Sequence, residues 1–339
     1  MNMGAEIVQI RRPPAAAVSH ESAVAVRRYD GPSYYGQPTV KASSYGALVW
    51  GYTYIAGLSG AAQIIASIAD LSGRSAHARM TRNGRYLALA GAAAGAALLV
   101  ADLHTPKRWY NMLRIFRPTS PMSIGTAILS GFAGFSGLAA LAQFFGQPGR
   151  RWTRRLARVT AVPAALTGAG MTFYTGALLA ATSTPLWAAS PRLLSARFAS
   201  SAMATAAAAL SLAENEGNGG ALDRLAALST AAGSVLSASA HANESSQGLT
   251  RASGMDVATA SEDALARHLG HTLPLACYCL GALLPARRHT LSRIAALGVL
   301  AGGLLMRAAI FRAGNQSARA PREYLSLTQA RADTDGGGR

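Results

Sequence analysis

A chain of 339 residues, half of them hydrophobic and only 14% charged, carries too little polar surface for two ordinary soluble domains, and its apolar residues fall in blocks. The net charge of +17 would point to nucleic acid in a soluble protein. Here Lys and Arg flank the apolar blocks and never form a stripe interleaved with aromatic side chains, which excludes a nucleic-acid partner. They suit the headgroup anchors and topology signals of a polytopic membrane protein.

Residues 1–45 are polar and contain no apolar run between a charged start and a small-residue cleavage site, so no cleavable secretory signal is expected. The first membrane helix then doubles as the insertion signal. A bilayer core of about 30 Å takes about 20 apolar residues per helix. Eight segments meet or approach that length: Gly46–Ile68, Arg85–Ala101, Ser120–Phe145, Leu156–Ala181, Arg192–Ala213, Ala221–Ala240, Leu265–Leu284 and Leu291–Phe311. The fifth and sixth are the weakest by hydropathy because Ala and Ser dominate them, yet small residues suit close packing inside a bundle. Glycines of the second helix, Gly91 and Gly95, and of the third, Gly131, Gly134 and Gly137, are expected to receive neighbouring helices. The segment from His241 to Ala264 is read as a long connection. The chain thus divides into a polar N-terminal tail (1–45), an all-α transmembrane bundle of about eight helices (46–313) and a polar C-terminal tail (314–339). Counting Lys and Arg by loop does not decide which face is inside.

Chemistry concentrates between the second and third helices. Asp102 closes the second helix and is followed by His104, Lys107, Arg108, Asn111 and Arg114. An Asp–His pair can relay protons near neutral pH, and Arg or Asn can hold a carbonyl oxygen, a set that suits a quinone head group. The plainer reading is a headgroup-anchored loop in which Asp102 pairs with Arg108 or Arg114. Thr119 or Ser120 is a plausible N-cap, with Pro121 in the first turn. In the fourth helix Gly170 opens space on the face of Tyr174, whose hydroxyl needs a partner, either a carbonyl of a neighbouring helix or a quinone oxygen. Pro185 and Trp187 mark the helix end and the membrane interface. Arg307 lies inside the last helix, where a basic residue faces a carboxylate or cavity or else snorkels. Asp70 and Asp102 are its nearest carboxylate candidates by depth. Cys277 and Cys279, the only cysteines, point to nearly opposite sides of one helix and cannot ligate a cluster together. His241, His268 and His271 lie at helix ends or in loops, so neither haem nor an iron–sulfur cluster of its own is expected.

The run from Asn111-Met112-Leu113-Arg114 to Pro118-Thr119-Ser120-Pro121-Met122-Ser123 closely resembles the signature of the NrfD/PsrC (polysulfide reductase-like) family of integral membrane subunits. Tyr34-Tyr35-Gly36-Gln37-Pro38 with Lys41, Ala56-Gly57-Leu58-Ser59-Gly60, Tyr174-Thr175-Gly176-Ala177-Leu178-Leu179 and the stretches Arg307–Phe311, Ala313-Gly314 and Ser317-Ala318-Arg319 are similar to further segments of that family. His104 and Thr105 replace its usual Gly-Arg. The resemblance implies a bundle of eight helices in a bacterial inner (cytoplasmic) membrane that exchanges electrons between menaquinone or ubiquinone and a ferredoxin-like iron–sulfur subunit, with a molybdopterin subunit completing the complex. By the same resemblance Asp102, Arg108, Asn111, Arg114 and Tyr174 form the quinone pocket and its mouth; Asp102, His104 and Tyr174 are the candidates for moving protons, His104 from its residue type and not from the resemblance. An alternative within electron transfer is the quinol-oxidising subunit of an assembly like alternative complex III. From another class, a transporter or a purely structural anchor would use the same bundle with Asp102 and Arg307 in ion pairs.

Overall fold

The computed structural model describes residues 40–103, 105–114, 116–146, 151–214, 219–246 and 257–320. Among them there is no strand, and eight long helices carry the fold: α1 (Ala47–Leu71), α2 (Ala78–Ala101), α3 (Pro121–Phe144), α4 (Arg151–Ala180), α5 (Pro191–Ala213), α6 (Gly219–Ser246), α7 and α8 (Arg288–Arg319). In α7, Val257–Arg267 and Leu273–Leu283 are joined through a π-helical turn, His268–Thr272. The protein is an all-α helix bundle, as its apolar blocks imply.

Five of the helices are long and apolar enough to cross a membrane by length and composition: α1, α2, α3, α5 and α8. The other three carry charge within the helix, in α4 at Arg154, Arg155 and Arg158, in α6 at Asp223, Arg224 and Glu244, and in α7 at Glu262, Asp263 and Arg267. Side chains such as Phe135, Leu166, Phe173, Leu228, Val235 and Leu297 are exposed outward from these helices. That apolar exterior is what a hydrocarbon solvent requires.

Helices α1 to α4 pack as one four-helix group and α5 to α8 as a second, with α1 touching α5 and α8 across the join. Close approach at the contacts depends on glycine. A Cβ on Gly60 would overlap the Gly168 backbone of α4, and one on Gly302 of α8 would overlap Gly270 in the π turn. As expected, Gly91 and Gly95 of α2 face α1, at Ser59 and Tyr52. Gly134 differs: among the described residues nothing lies within 4 Å of its Cβ position.

The alternation of helices puts the start of α1 and the end of α8 on one face, the terminal face, together with the α2–α3 and α4–α5 connections. At that face Tyr45 stacks on Trp187 at 6.3 Å between centroids, and Phe311 meets both rings edge-on. Trp187 is 1% exposed and donates from Nε1 to the Ile310 carbonyl at 3.0 Å. It is therefore a core residue, not the interface marker that its sequence context indicated. On the opposite face Asp70 is bound by Arg85 at 2.8 Å, and Arg85 also reaches the Gln143 amide oxygen at 3.1 Å. One buried guanidinium thus clamps the ends of α1 and α3 to the start of α2. Helix α8 continues to Arg319 with Gly314, Ser317 and Ala318 buried, so it runs into the segment read from sequence as the C-terminal tail.

Candidate functional site

Asp102 takes the C-cap position of α2, its N–H held by the Leu98 carbonyl at 3.1 Å. Pro106–Arg108 makes one 3-10 turn, Asn111–Arg114 one α-turn, and the chain re-enters at α3 with Ser120 extended and Pro121 in the first turn. Ser120 occupies the N-cap position but makes no side-chain cap bond; its carbonyl instead accepts from Ile124 at 3.1 Å. The side chains of Asp102, Arg108 and Arg114 are exposed, and Asn111 is half-buried. His104 lies outside the described residues. No ion pair joins Asp102 to Arg108 or Arg114 among the described residues.

Beneath this loop Tyr174 of α4 is half-buried, and its hydroxyl donates to the Pro121 carbonyl at 2.5 Å. Its ring lies against Gly125, where a Cβ would overlap it, so the glycine is what admits the tyrosine. Tyr45 and Tyr52 of the α1 segment lie near Tyr174. Of the two partners left open by the sequence, the structure supplies the backbone carbonyl. The expected residues therefore fall on one face in two layers. Asp102, Arg108 and Arg114 are outside, and Tyr174 is inside, pinned to the start of the next helix. No hydrogen bond joins the layers directly among the described residues.

Arg307 corrects its sequence reading twice. It is fully buried, so it does not snorkel, and neither Asp70 nor Asp102 is its partner. Nη1 donates to Ser201 Oγ at 3.1 Å and to the Gly303 carbonyl at 3.0 Å, while the guanidinium carbon lies 5.3 Å from the Tyr54 ring centroid and 5.2 Å from that of Phe198. Two aromatic faces replace the carboxylate, an arrangement that gains strength when desolvated.

A second ionisable group at the terminal face was missed from sequence because the segment from His241 to Ala264 was read as a connection. Helix α6 runs on to Ser246, and α7 begins at Val257. Arg267 binds Asp263 and also reaches His241 Nε2 at 3.1 Å, while His241 Nδ1 faces Glu244 at 3.5 Å. Glu244 and Asp263 are buried, and Arg312 of α8 binds Glu262 nearby. The spacing of His241 with Glu244 and of Asp263 with Arg267, three and four residues, was the available signal of helix. Cys277 is buried and Cys279 exposed, the opposed orientations expected of them.

A family profile described as polysulfide reductase, NrfD_2, matches residues 32–320. The chain belongs to the NrfD family. A search of curated proteins finds no match. Family membership and the apolar helices together make this a multi-pass membrane protein, and an NrfD chain is suggested to be the membrane subunit of an oxidoreductase complex.

Proposed function

We propose that this NrfD subunit exchanges electrons between a membrane quinone, menaquinone or ubiquinone, and a peripheral iron–sulfur subunit docked on the terminal face, with a molybdopterin subunit beyond it. The observation that carries the reading is the position of Tyr174. It is a half-buried hydroxyl beneath the Asp102–Ser120 loop, held to the Pro121 carbonyl at 2.5 Å. A carbonyl in the first turn of α3 and a quinone oxygen are equivalent acceptors for one phenolic proton, so the hydroxyl can turn from one to the other with little change in geometry. The half-buried Asn111 amide offers a second donor, and the exposed Asp102 carboxylate can pass protons from water to the quinone as it is reduced. Reduction of a quinone takes up two electrons and two protons; this chain's residues bind, orient and protonate, and the electrons arrive from the partner.

The test is a titration of the purified chain with short-chain naphthoquinone and ubiquinone analogues, followed by quenching of tryptophan fluorescence. Tyr174→Phe keeps the ring against Gly125 but removes the donor, and should weaken binding by about 1–3 kcal/mol. In the assembled complex Asp102→Asn should slow quinone turnover while electron transfer to an artificial acceptor at the iron–sulfur partner persists. Wild-type quinone binding by Tyr174→Phe together with wild-type turnover by Asp102→Asn would refute the site.

A further inference from the structure

On the face opposite the termini, two clefts of about 420 and 910 Å³ meet at the start of α6 and share Asp223, Arg224, Arg288 and Ser292. The smaller is walled by α6 and α7 through Ala227, Cys277, Gly281 and Ala282, an apolar slot. The larger is polar and adds Arg293 and His289. The carboxylates here are occupied by neutral donors. Asp223 Oδ1 accepts from Ser211 at 2.5 Å and from Ser292 at 2.7 Å, and Glu214 accepts from Asn83 at 3.0 Å. Arg224 and Arg288 make no ion pair among the described residues. Arg288 nonetheless sits so close to the first turn of α6 that a Cβ on Gly220 would overlap its guanidinium. A free cation against the positive end of a helix dipole is unfavourable unless an anion lies between them. At the slot, the buried Tyr278 hydroxyl has no hydrogen-bond partner among the described residues.

We infer that this paired cleft holds an anionic phospholipid, with Arg224 and Arg288 on the headgroup phosphate and an acyl chain in the slot between α6 and α7. Basic clefts between membrane helices bind such headgroups, and the apolar slot beside this one gives the chain a place that a free phosphate would leave empty. The polar headgroup cleft and apolar slot sit side by side, as the two parts of one lipid do.

The experiment is native mass spectrometry of the delipidated full-length chain, titrated with phosphatidylglycerol or with phosphatidylethanolamine of the same acyl chains. Phosphatidylglycerol should be retained preferentially. Arg224→Gln with Arg288→Gln should lower its retention about thirtyfold, at about 1 kcal/mol per basic residue, and leave phosphatidylethanolamine nearly unchanged. Arg154→Gln with Arg155→Gln, outside both clefts, should retain the lipid as the wild type does. Ala282 is exposed, so Ala282→Trp blocks the slot without entering the core; it should also lose phosphatidylglycerol, which decides the matter if the double arginine variant does not fold. Undiminished retention in either variant, or displacement of the lipid by inorganic phosphate at equal concentration, would overturn the assignment.

Discussion

Arg307 is the residue whose environment says most about how this bundle manages charge. A guanidinium enclosed by Tyr54, Phe198 and two hydrogen-bond acceptors, with Nε lacking a partner among the described residues, is expensive to desolvate, and no carboxylate offsets that cost. Replacement by an apolar side chain of similar length should therefore be tolerated better than truncation. Arg307→Met is expected to unfold at a temperature equal to or above that of the wild type. Arg307→Ala leaves a cavity among α1, α5 and α8 and should be destabilised by about 2–5 kcal/mol relative to Met. Thermal unfolding of both variants and the wild type in detergent checks the order, and a Met variant well below the wild type would show that the charge itself holds the helices. The depth of Arg307 was legible from the Gly302-Gly303-Leu304-Leu305-Met306 run before it. Its partners were not, because ring faces from α1 and α5 have no spacing signal in sequence. The same holds for Tyr174: its need for an acceptor could be stated, but the choice of the Pro121 carbonyl is a tertiary fact.

At the scale of helices, apolar blocks located all eight rods, while charge near their ends hid how far they extend. Helix α6 reaches Ser246 because His241, Glu244, Asp263 and Arg267 satisfy one another across α6 and α7, and such mutual pairing lets polar residues stay helical where hydropathy alone ends the span. Glycine content signalled close packing but did not say which glycine is used. Gly302 meets the Gly270 backbone, whereas Gly134 is exposed with open space beyond it. Gly134→Ala should thus be neutral or stabilising by up to about 1 kcal/mol, the helix-propensity difference. Gly302→Ala must separate α8 from the π turn and should cost about 1–3 kcal/mol or more. Unfolding temperatures of the two variants should move apart in that sense. Equal shifts would mean that the α7–α8 contact yields to an added methyl group.

For the whole molecule, the docking proposed above would fall on the terminal face. Trp109, Tyr110, Leu113 and Phe116 are each about half exposed or more, at 48, 53, 53 and 60%, and Lys107, Arg108, Arg114 and Arg117 are interspersed among them. Exposed aromatic side chains ringed by cations offer a partner large contact area and a steering charge, the usual composition of energetically dominant interface residues. The sequence revealed this loop through its composition and set Tyr174 inside a helix, yet it could not say which of the loop's own side chains face outward. Because Trp109 and Phe116 are half or more exposed and belong to no buried cluster among the described residues, Trp109→Ala with Phe116→Ala should change the chain's own stability by no more than about 0.5 kcal/mol. The same double variant should release a peripheral subunit from the purified complex, with a loss of about 2 kcal/mol or more of binding. Co-purification stoichiometry, measured beside the unfolding temperature of the isolated chain, separates the two effects. A partner retained at full stoichiometry would place docking elsewhere and leave these rings as anchors in the lipid headgroups. That result would also remove the reason for expecting electrons to enter at the face where Tyr174 lies.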